Sequence, residues 1–459
     1  MNVEQIYTGC LAQGAYYISH RGEAAIIDPL REVQPYIDRA QKRGETIKYV
    51  FETHFHADFV SGHQDLSRKT GAPIIYGPNA NPDFNAHIAE DGEEFKLGGL
   101  TIRALHTPGH TMESTCYLLL KEDGTPHCIF TGDTLFIGDV GRPDLLASVG
   151  VTAEELGRQL FHSLHEKLLT LPDATKVYPA HGAGSACGKN LSTETVSTIG
   201  EQRETNYALA PMSEDEFVDA VTQGQSVAPL YFSFAANRNR EVRELLTDDV
   251  RVSALSLTEV LTLQRDGAVV VDARDDMAFA SGHLRGSVNV GLGGRFAEYT
   301  GEVMKPGTPI VLVTPPGHEA EALVRLARIG FDNVLGALAE PFDAFIAHPE
   351  HVEHLSRLSA AALAERVKSV PDLVLVDVRN PGEVQLGTIA GARHISLPAL
   401  LSNLDQLDPA APTVVFCAGG YRSAIASSLL RSHGFTDVSD LIGGYTAWQT
   451  HTTSSTGAQ

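Results

Sequence analysis

Side chains that bind metals are concentrated near residue 54, where His54, His56 and Asp58 stand at alternate positions. The apolar run at 49–51 precedes them, so the pattern predicts a strand that delivers these side chains to a loop. Neutral imidazole and carboxylate are ligands that zinc and non-haem iron take from proteins. A single histidine most often serves packing, but the H-x-H-x-D spacing exceeds what packing requires and predicts a metal site.

Three further polar clusters follow the same arrangement of strand-like run, short turn and metal-competent side chain. His110 lies in the sequence His-Thr-Pro-Gly-His-Thr, Asp133 in Thr-Gly-Asp-Thr and His181 in Pro-Ala-His-Gly. Strands that enter a sheet in one direction end at one edge, where functional side chains collect. We therefore expect the four clusters to meet.

The chain is too long for a single hydrophobic core. Its 459 residues predict roughly two to four domains, and a composition of 43% hydrophobic and 20% charged residues is typical of a soluble globular protein. We find no apolar run of about eighteen residues and no signal peptide at the start, so no membrane contact is expected. The net charge of −22 argues against a nucleic-acid partner. Five scattered cysteines do not form a disulfide framework and predict a reducing cytoplasm.

The ordered motifs resemble the metallo-β-lactamase fold, an αββα sandwich with its metals at one sheet edge. Members with two metals continue the first motif with a histidine, but this sequence has Phe59 there. A second metal would keep Asp58, His181 and the bridging Asp133, one nitrogen ligand short. The resemblance therefore disfavours a hydrolase that activates water between two zinc ions, such as glyoxalase II.

Persulfide dioxygenases of the same superfamily hold one iron, and residues 138–144 and 179–185 also resemble that subfamily. The resemblance implies one Fe(II) ion per site, held by His54, His110 and Asp133. Such a facial triad leaves open positions for a thiolate sulfur and O₂.

Other polar residues lie in or near these motifs, and the resemblance does not make them ligands of the iron. His56, Asp58 and His181 either orient ligands or the iron-bound water, or only hold the loop together by hydrogen bonds. His63 is expected to begin or cap the next helix, and His106 is expected to be structural.

Beyond residue 151 the pattern turns helical, with an amphipathic helix expected at 153–161. Several cations flank the presumed pocket in this acidic chain. A small thiol that carries carboxylates or phosphates would suit them, although ordinary solvated charges explain each one equally well. The tentative substrate-binding cations are Arg142, Lys189 and Arg240, accompanied by Arg238. Cys187, close to the fourth motif, is expected to be a packed cysteine rather than a redox-modified thiol.

From about residue 250 the chain repeats itself. Val-Val-Val-Asp-Ala-Arg at 269–274 matches Val-Leu-Val-Asp-Val-Arg at 374–379. Gly282 and Gly387 keep the same offset of about 105 residues. The repeat predicts tandem α/β domains with buried parallel strands. Both copies resemble the rhodanese (sulfurtransferase) family over nearly their whole length.

The second copy contains the active loop of that family, Cys-Ala-Gly-Gly-Tyr-Arg-Ser at 417–423, between a strand and a helix. Its glycines let backbone N–H groups face the sulfur of Cys417. The helix N-terminus and Arg422 favour an anion there, so the cysteine should react as a thiolate. The resemblance implies a Cys417 persulfide intermediate. The tentative substrate-binding residues of the loop are Gly419, Gly420, Tyr421 and Ser423.

The first copy lacks this loop and has Thr-Pro-Pro-Gly-His-Glu at 314–319. No thiol is present, the prolines remove N–H donors, and Glu319 replaces the arginine cation with an anion. We expect this copy to be inactive and to serve as a spacer or docking surface. In the second copy Thr388 replaces a histidine common in the family, which leaves the sulfur chemistry untouched.

We thus predict an α/β and α+β multidomain chain. A metallo-β-lactamase-like persulfide dioxygenase domain spans 1–245, a cysteine-free rhodanese-like domain 250–355 and an active rhodanese domain with a parallel sheet 356–455. The implied reaction is R–SSH + O₂ + H₂O giving R–SH and sulfite. Cys417 would transfer a sulfane sulfur between a thiol persulfide, sulfite and thiosulfate, in either direction.

The predicted partners are O₂, sulfite or thiosulfate, and the persulfide of a small thiol such as glutathione or coenzyme A. The predicted setting is sulfide detoxification in the cytoplasm by a homodimer or homotetramer. Two alternatives stay open: a glyoxalase II-type thioester hydrolase with an appended sulfurtransferase, and a non-oxidative sulfur carrier or sensor.

Overall fold

The computed structural model describes residues 1–145, 150–246 and 251–456. The chain divides into two compact units, Met1–Ala228 with Phe232–Thr247, and Pro229–Tyr231 with Asp248–Gln459. The domain boundary predicted at residue 250 lies outside the described residues, and the exact domain limits stay predictions. None of the helices in the described ranges has the length and apolar composition needed to cross a membrane.

Within its described residues the first unit contains two six-stranded β-sheets and six α-helices. One sheet consists, in spatial order, of β1 (Asn2–Thr8), β2 (Gln13–His20), β3 (Glu23–Ile27), β4 (Thr46–Phe51), β5 (Ile74–Tyr76) and β6 (His87–Ile88). The other consists of β7 (Glu94–Leu97), β8 (Leu100–His106), β9 (Thr115–Leu120), β10 (Pro126–Gly132), β11 (Lys176–Pro179) and β12 (Ser197–Thr198). The helices are α1 (Gln34–Arg43), α2 (His63–Thr70), α3 (Ala153–His162), α4 (Ile199–Thr205), α5 (Glu214–Thr222) and α6 (Phe232–Arg240).

Alternating burial along the strands creates a four-layered arrangement in this unit. Tyr16 of β2 points into the core between the two sheets, whereas its neighbour Tyr17 packs with Tyr36 of α1 on the outer face. On the other sheet, Leu118 of β9 packs with Leu160 of α3. Because successive strand residues face opposite sides, each sheet packs against the common core with one face and against helices with the other. The predicted αββα sandwich is confirmed.

The predicted helix at 153–161 is observed as α3, and its start has a clear physical cause. The hydroxyl of Thr152 accepts a hydrogen bond from the backbone N–H of Glu155, whose carboxylate accepts one from the N–H of Thr152. This capping box satisfies amides that the helix leaves unpaired at its first turn. A π-helix over Ser163–Lys167 and 3₁₀ turns at Leu168–Thr170 and Tyr207–Leu209 follow it in the chain.

The second unit contains two five-stranded sheets in which every strand pair is parallel. The strands of the first copy are β13 (Ala254–Leu255), β14 (Val269–Asp272), β15 (His283–Leu284), β16 (Val288–Asn289), β17 (Ile310–Val313), β18 (Val334–Leu338) and β19 (Val352–Glu353). Those of the second copy are β20 (Ser356–Leu358), β21 (Val374–Asp377), β22 (Arg393–His394), β23 (Thr413–Phe416) and β24 (Val438–Leu441). The sheet orders β13-β18-β17-β14-β16 and β20-β24-β23-β21-β22 are equivalent, which confirms the predicted tandem parallel folds. Strands β15 and β19 form a separate antiparallel pair.

Ten helices connect the strands in the described part of this unit. In the first copy they are α7 (Leu257–Arg265), α8 (Asp276–Ser281), α9 (Phe296–Val303), α10 (Glu319–Ala327) and α11 (Pro341–Ala347). In the second copy they are α12 (Ala360–Ser369), α13 (Pro381–Gln385), α14 (Leu397–Leu400), α15 (Tyr421–Ser432) and α16 (Gly444–Thr456). Short 3₁₀ turns lie at Pro349–His351 and Leu401–Gln406.

The repeated Asp-x-Arg sequence is a buried ion pair in both copies. Arg274 Nη2 lies 2.5 Å from the carboxylate of Asp272 and donates to the carbonyl oxygen of Gly282 at 2.9 Å. In the second copy the Arg379–Asp377 pair lies at 2.6 Å, and Arg379 donates to the carbonyl oxygen of Gly387 at 2.7 Å. Each arginine thus joins the end of a strand to a glycine eight residues later, which explains the fixed spacing in the sequence.

The close approach of the two sheets in the first unit predicts a sensitive glycine. A Cβ atom at Gly77 would lie 1.7 Å from Thr115 Oγ1, whereas a Cβ at Gly9 would meet nothing within 4 Å. We expect Gly77→Ala to lower the free energy of unfolding by about 1–3 kcal/mol, because overpacking forces the backbone to shift. Urea denaturation of the full chain measures the effect, with Gly9→Ala as the matched control. Equal stability of the two variants would contradict this prediction.

Candidate metal centre and cysteine loop

Three of the predicted metal ligands converge at the ends of three different strands. His54 follows β4, His110 follows β8 and Asp133 follows β10, and their ligand atoms all lie within 4.8 Å of one another. The carboxylate oxygen Oδ2 of Asp133 is 3.4 Å from His110 Nε2 and 3.9 Å from His54 Nε2. All three side chains are buried. The three residues of the predicted triad therefore meet at the ends of their strands, one from the first sheet and two from the second.

Hydrogen bonds on the far side of each imidazole orient these histidines. The Thr53 hydroxyl donates to Asp28 Oδ2 at 2.8 Å, so it can only accept from His54 Nδ1, at 3.1 Å. Nδ1 of His110 donates to the carbonyl oxygen of Arg142 at 2.8 Å. With Nδ1 protonated in both rings, each Nε2 lone pair faces Asp133, the arrangement that fixes a histidine as a metal ligand.

The electrostatics of the triad also suit a bound cation. Burial lowers the pKa of His54 well below its ordinary value and that of His110 to about 4, so both imidazoles are neutral. Burial raises the pKa of Asp133 to about 6. Nε2 of His54 and both carboxylate oxygens of Asp133 find no hydrogen-bond partner within the described residues. Since buried polar atoms are seldom left unsatisfied, these residues fit a metal ion.

His56 is not part of the triad, although its ring centroid lies 4.1 Å from that of His54. Its Nε2 lies 3.1 Å from Asp28 Oδ1 and 3.8 Å from Glu52 Oε2. Its ring packs on Phe59 with centroids 4.3 Å apart. Burial lowers the pKa of His56, but the carboxylates of Asp28 and Glu52 together outweigh that effect and raise it to about 9. His56 is therefore paired with carboxylates, but its ring also belongs to a possible ligand set with Asp58 and His181, separate from the triad.

Asp58 and His181 form the other side of the site. His181 Nε2 lies 3.4 Å from Asp58 Oδ2 and 3.4 Å from Asp133 Oδ1, and its Nδ1 donates to the carbonyl oxygen of Ala12 at 3.3 Å. Cys187 was expected to be a packed cysteine, and it is buried, but its sulfur also belongs to a second possible ligand set with Asp133 and His181. Burial raises the pKa of the Cys187 thiol well above its ordinary value.

Two other histidines have structural contacts. His63 is the first residue of α2 and lies 3.5 Å from Glu52 Oε1. Nε2 of His106 lies within hydrogen-bonding distance of the carbonyl oxygen of Met112, at 2.9 Å. Neither belongs to the triad.

The candidate substrate-binding cations have partners within the protein. Arg142 is buried, and its guanidinium donates twice to Asp144 at 2.7 Å and also to the carbonyl oxygens of Ala186 and Ser226. Its backbone N–H donates to the carbonyl oxygen of Cys187 at 3.0 Å. With its carbonyl bound to His110, Arg142 links two loops of the site. This pairing counts against a role in binding substrate.

Lys189 and Arg240 also make internal contacts. The ammonium of Lys189 donates to the carbonyl oxygens of Ala220 and Gln223 and lies 5.0 Å from the ring centroid of Tyr207. The guanidinium of Arg240 lies 4.9 Å from the ring centroid of Phe55, the residue between the first two motif histidines. Of these three cations, Arg240 is therefore the one whose side chain contacts residues 54–61, the loop that carries the first motif (the metal loop). Substrate binding by these residues stays a prediction.

A buried asparagine forms hydrogen bonds to the metal loop. No pattern in the sequence singled it out. Asn239 of α6 donates through Nδ2 to the carbonyl oxygens of His56 at 2.8 Å and Phe59 at 2.7 Å, and its Oδ1 accepts from the N–H of Ser61 at 2.8 Å. Asn239 lies about 180 residues from this loop in the chain, so no local pattern could have identified it.

The second candidate site is the loop between β23 and α15. The backbone N–H of Gly420 donates to the sulfur of Cys417 at 3.1 Å, and Ser423 Oγ lies 3.6 Å from that sulfur. The guanidinium of Arg422 forms two 2.7 Å bonds to the carboxylate of Glu383. Arg422 was expected to favour an anion, but Glu383 offsets its charge. The Gly420 amide and the N-terminus of α15 remain as direct support for an anionic sulfur.

Thr388 of the second copy and Glu319 of the first copy are the two other positions at which the sequence differs from the family pattern. The hydroxyl of Thr388 donates to Asp377 Oδ2 at 2.7 Å, so this residue supports the buried ion pair rather than the sulfur. In the first copy Glu319 begins α10, where the second copy has the start of α15. The inactivity of the first copy stays a prediction.

Comparison with known proteins agrees with this architecture. Residues 8–181 match the metallo-beta-lactamase superfamily, and residues 256–348 and 359–451 each match the rhodanese-like domain. The human mitochondrial persulfide dioxygenase ETHE1 is 32% identical over 219 residues, which cover 47% of this chain and 78% of that protein. The chain belongs to the metallo-β-lactamase superfamily. Its metallo-β-lactamase domain is followed by two tandem rhodanese-like domains.

Two other relatives extend this comparison. A probable hydroxyacylglutathione hydrolase of Schizosaccharomyces pombe is 32% identical over 253 residues, covering 53% of this chain and 89% of that protein. The crystal structure of a metallo-beta-lactamase from Staphylococcus aureus has a TM-score of 0.66 and 31% identity, and covers 73% of this chain and 98% of that one. The superfamily thus includes relatives named for different activities, and the fold alone does not choose between them.

The contacts of Asn239 predict its effect on metal binding. Asn239→Ala removes three hydrogen bonds to the loop that carries His54, so we expect Fe(II) affinity to fall about 10–100-fold. Anaerobic titration against a chelator measures this affinity. Asn237→Ala, an exposed residue of the same helix, is the matched control. Wild-type affinity in Asn239→Ala would contradict the assigned role.

Proposed function

We propose that this chain oxidises the persulfide of a low-molecular-weight thiol with O₂ and also transfers sulfane sulfur through Cys417. The first reaction is R–SSH + O₂ + H₂O giving R–SH and sulfite, at an Fe(II) ion held by His54, His110 and Asp133. The observation that carries this proposal is a buried triad of two neutral imidazoles and one carboxylate whose ligand atoms all lie within 4.8 Å of one another. This ligand set is the facial triad of non-haem iron oxygenases.

Bound Fe(II) would supply open coordination positions for a thiolate sulfur and O₂. The chain's own residues then have three tasks. Asp28 acts through Thr53 to keep the Nε2 lone pair of His54 directed at the metal. The Asp58–His181 pair would orient the water that the reaction consumes. Burial of all these groups excludes bulk water from the reacting sulfur.

The second reaction is reversible transfer at the Cys417 loop. The Cys417 thiolate attacks the outer sulfur of thiosulfate, the S–S bond of thiosulfate breaks, and sulfite leaves with its electron pair, which gives a Cys417 persulfide. In the opposite direction sulfite takes the outer sulfur and thiosulfate forms. The Gly420 amide, 3.1 Å from the sulfur, would stabilise the anionic sulfur in either direction. Sulfite is common to both reactions.

Similarity to the human persulfide dioxygenase and to rhodanese-like domains supports an enzyme of sulfur metabolism. We further propose that the thiol is glutathione, coenzyme A or a related small thiol. The same reasoning extends to a role in sulfide detoxification in the cytoplasm and to a homo-oligomer of two or four subunits.

A two-metal thioester hydrolase is the second candidate function. It is favoured by similarity to a probable hydroxyacylglutathione hydrolase and by further possible ligand sets beside the triad. Two of these sets contain His181, one with His56 and Asp58 and the other with Asp133 and Cys187. The first candidate needs one iron per chain, and the second needs two metal ions. Metal analysis of protein purified without added chelator separates them.

Oxygen uptake by anaerobically iron-loaded protein tests the first reaction directly. After addition of glutathione persulfide or coenzyme A persulfide, we expect rapid uptake with sulfite or thiosulfate as product. His110→Ala should lose at least about 100-fold in rate because one of three metal ligands is missing.

Cys417→Ser is the control, because it leaves the triad intact and should keep the wild-type initial rate of uptake while losing sulfur transfer. Absence of uptake with any persulfide, together with hydrolysis of a glutathione thioester, would overturn the dioxygenase proposal and support the hydrolase.

A further inference from the structure

The loop that carries Cys417 is in contact with the cysteine-free copy. Tyr421, the first residue of α15, donates its hydroxyl to the carbonyl oxygen of Gly291 at 2.5 Å. Its ring lies 5.5 Å from the ring of Tyr299 in the first copy. Both copies belong to the same compact unit. The tyrosine side chain, tentatively assigned to substrate, is thus bound by protein.

A glycine in the first copy provides the space for this ring. A Cβ atom at Gly294 would lie 2.5 Å from Cζ and 2.6 Å from the hydroxyl of Tyr421. At the adjacent Gly293 a Cβ atom would meet nothing within 4 Å. Of these two glycines, only Gly294 must lack a side chain to leave room for Tyr421.

The segment that receives the ring is itself firmly held. The buried Arg325 of α10 donates to the carbonyl oxygens of Leu292 and Gly294, both at 2.5 Å. One further bond fixes the active-site helix to the same copy, because the backbone N–H of Asn289 donates to Ser428 Oγ of α15 at 2.9 Å. Tyr421 and Ser428 are seven residues apart, about two helical turns, so they lie on one face of α15.

We propose that the cysteine-free copy positions the reactive loop, with Tyr421 seated on Gly291 and Gly294 as the positioning contact. The mechanism follows from the chain order. Tyr421 directly follows Gly420, whose N–H is bonded to the Cys417 sulfur. Gly420 has a φ of 108°, a conformation that few residues adopt. Any displacement of Tyr421 therefore changes the amide that stabilises the sulfur. This inference rests on the proposed sulfur transfer at Cys417.

The test compares two adjacent glycines in the full chain. Gly294→Ala places a methyl group against Tyr421, and Gly293→Ala changes the same backbone without that contact. We expect Gly294→Ala to lower kcat/KM for sulfur transfer from thiosulfate to cyanide by about ten-fold or more, because small displacements of reacting groups are costly. Gly293→Ala should stay within about two-fold of wild type. Oxygen uptake with persulfide should be unchanged in both variants.

Alkylation of Cys417 by iodoacetamide, followed by mass spectrometry of its peptide, reports on the loop without any substrate. Its rate should change in Gly294→Ala and not in Gly293→Ala. Tyr421→Ala removes the ring, so adding Gly294→Ala to it should cost nothing further, a non-additivity expected only of groups in contact.

Tyr421→Phe keeps the test decisive if Gly294→Ala does not fold. It removes only the hydroxyl bonded to Gly291 and should lower both the transfer rate and the alkylation rate by a smaller factor. Wild-type rates in Tyr421→Phe, or equal rates in the two glycine variants, would overturn the positioning role. Absence of transfer by the wild-type chain would instead overturn the proposed function.

Discussion

The metallo-β-lactamase domain is organised around a set of buried ligand atoms that cannot satisfy one another. His54, His110, His181, Asp58 and Asp133 are all buried at one place, and both carboxylates lack hydrogen-bond partners among the described residues. Burying unpaired carboxylates costs several kcal/mol each. A cation between them removes that cost, so the fold that collects these residues and the metal that satisfies them depend on each other.

Asp28 connects the surroundings of the two histidines of the first motif. One of its carboxylate oxygens accepts from the hydroxyl of Thr53, which orients His54, and the other accepts from the Thr53 N–H and lies 3.1 Å from His56. Asp28 has a φ of 51°, in the left-handed region that costs free energy for a residue with a side chain. In this conformation a single carboxylate orients His54 through Thr53 and also pairs with His56. Phe59 adds an aromatic contact on the same side of His56.

The sequence predicted the fold and the meeting of the polar clusters because both depend on short-range patterns, whereas the choice of three residues as the triad came from the family resemblance. Strand-like runs followed by motif residues placed His54, His110 and Asp133 at strand ends, and the Asp-x-Arg repeat identified the tandem domains. It did not predict Asn239, which bonds to a loop about 180 residues away. It also did not predict the carboxylate partners of Arg142 and Arg422, because residue type gives the charge of a side chain but not the group that pairs with it in the fold.

The two rhodanese-like copies share a structural framework and differ in the loop that carries Cys417 in the second copy. Both keep the buried Asp-x-Arg pair and the same strand order, so their folding does not require the reactive loop. The proposed sulfur transfer depends on the few residues between β23 and α15, where the first copy has prolines and an acid. A copy without a thiol still presents a rigid backbone, and carbonyl oxygens such as that of Gly291 are strong acceptors whatever the side chains are. The absence of the cysteine from the first copy therefore leaves intact the features that allow a domain to hold its neighbour in place.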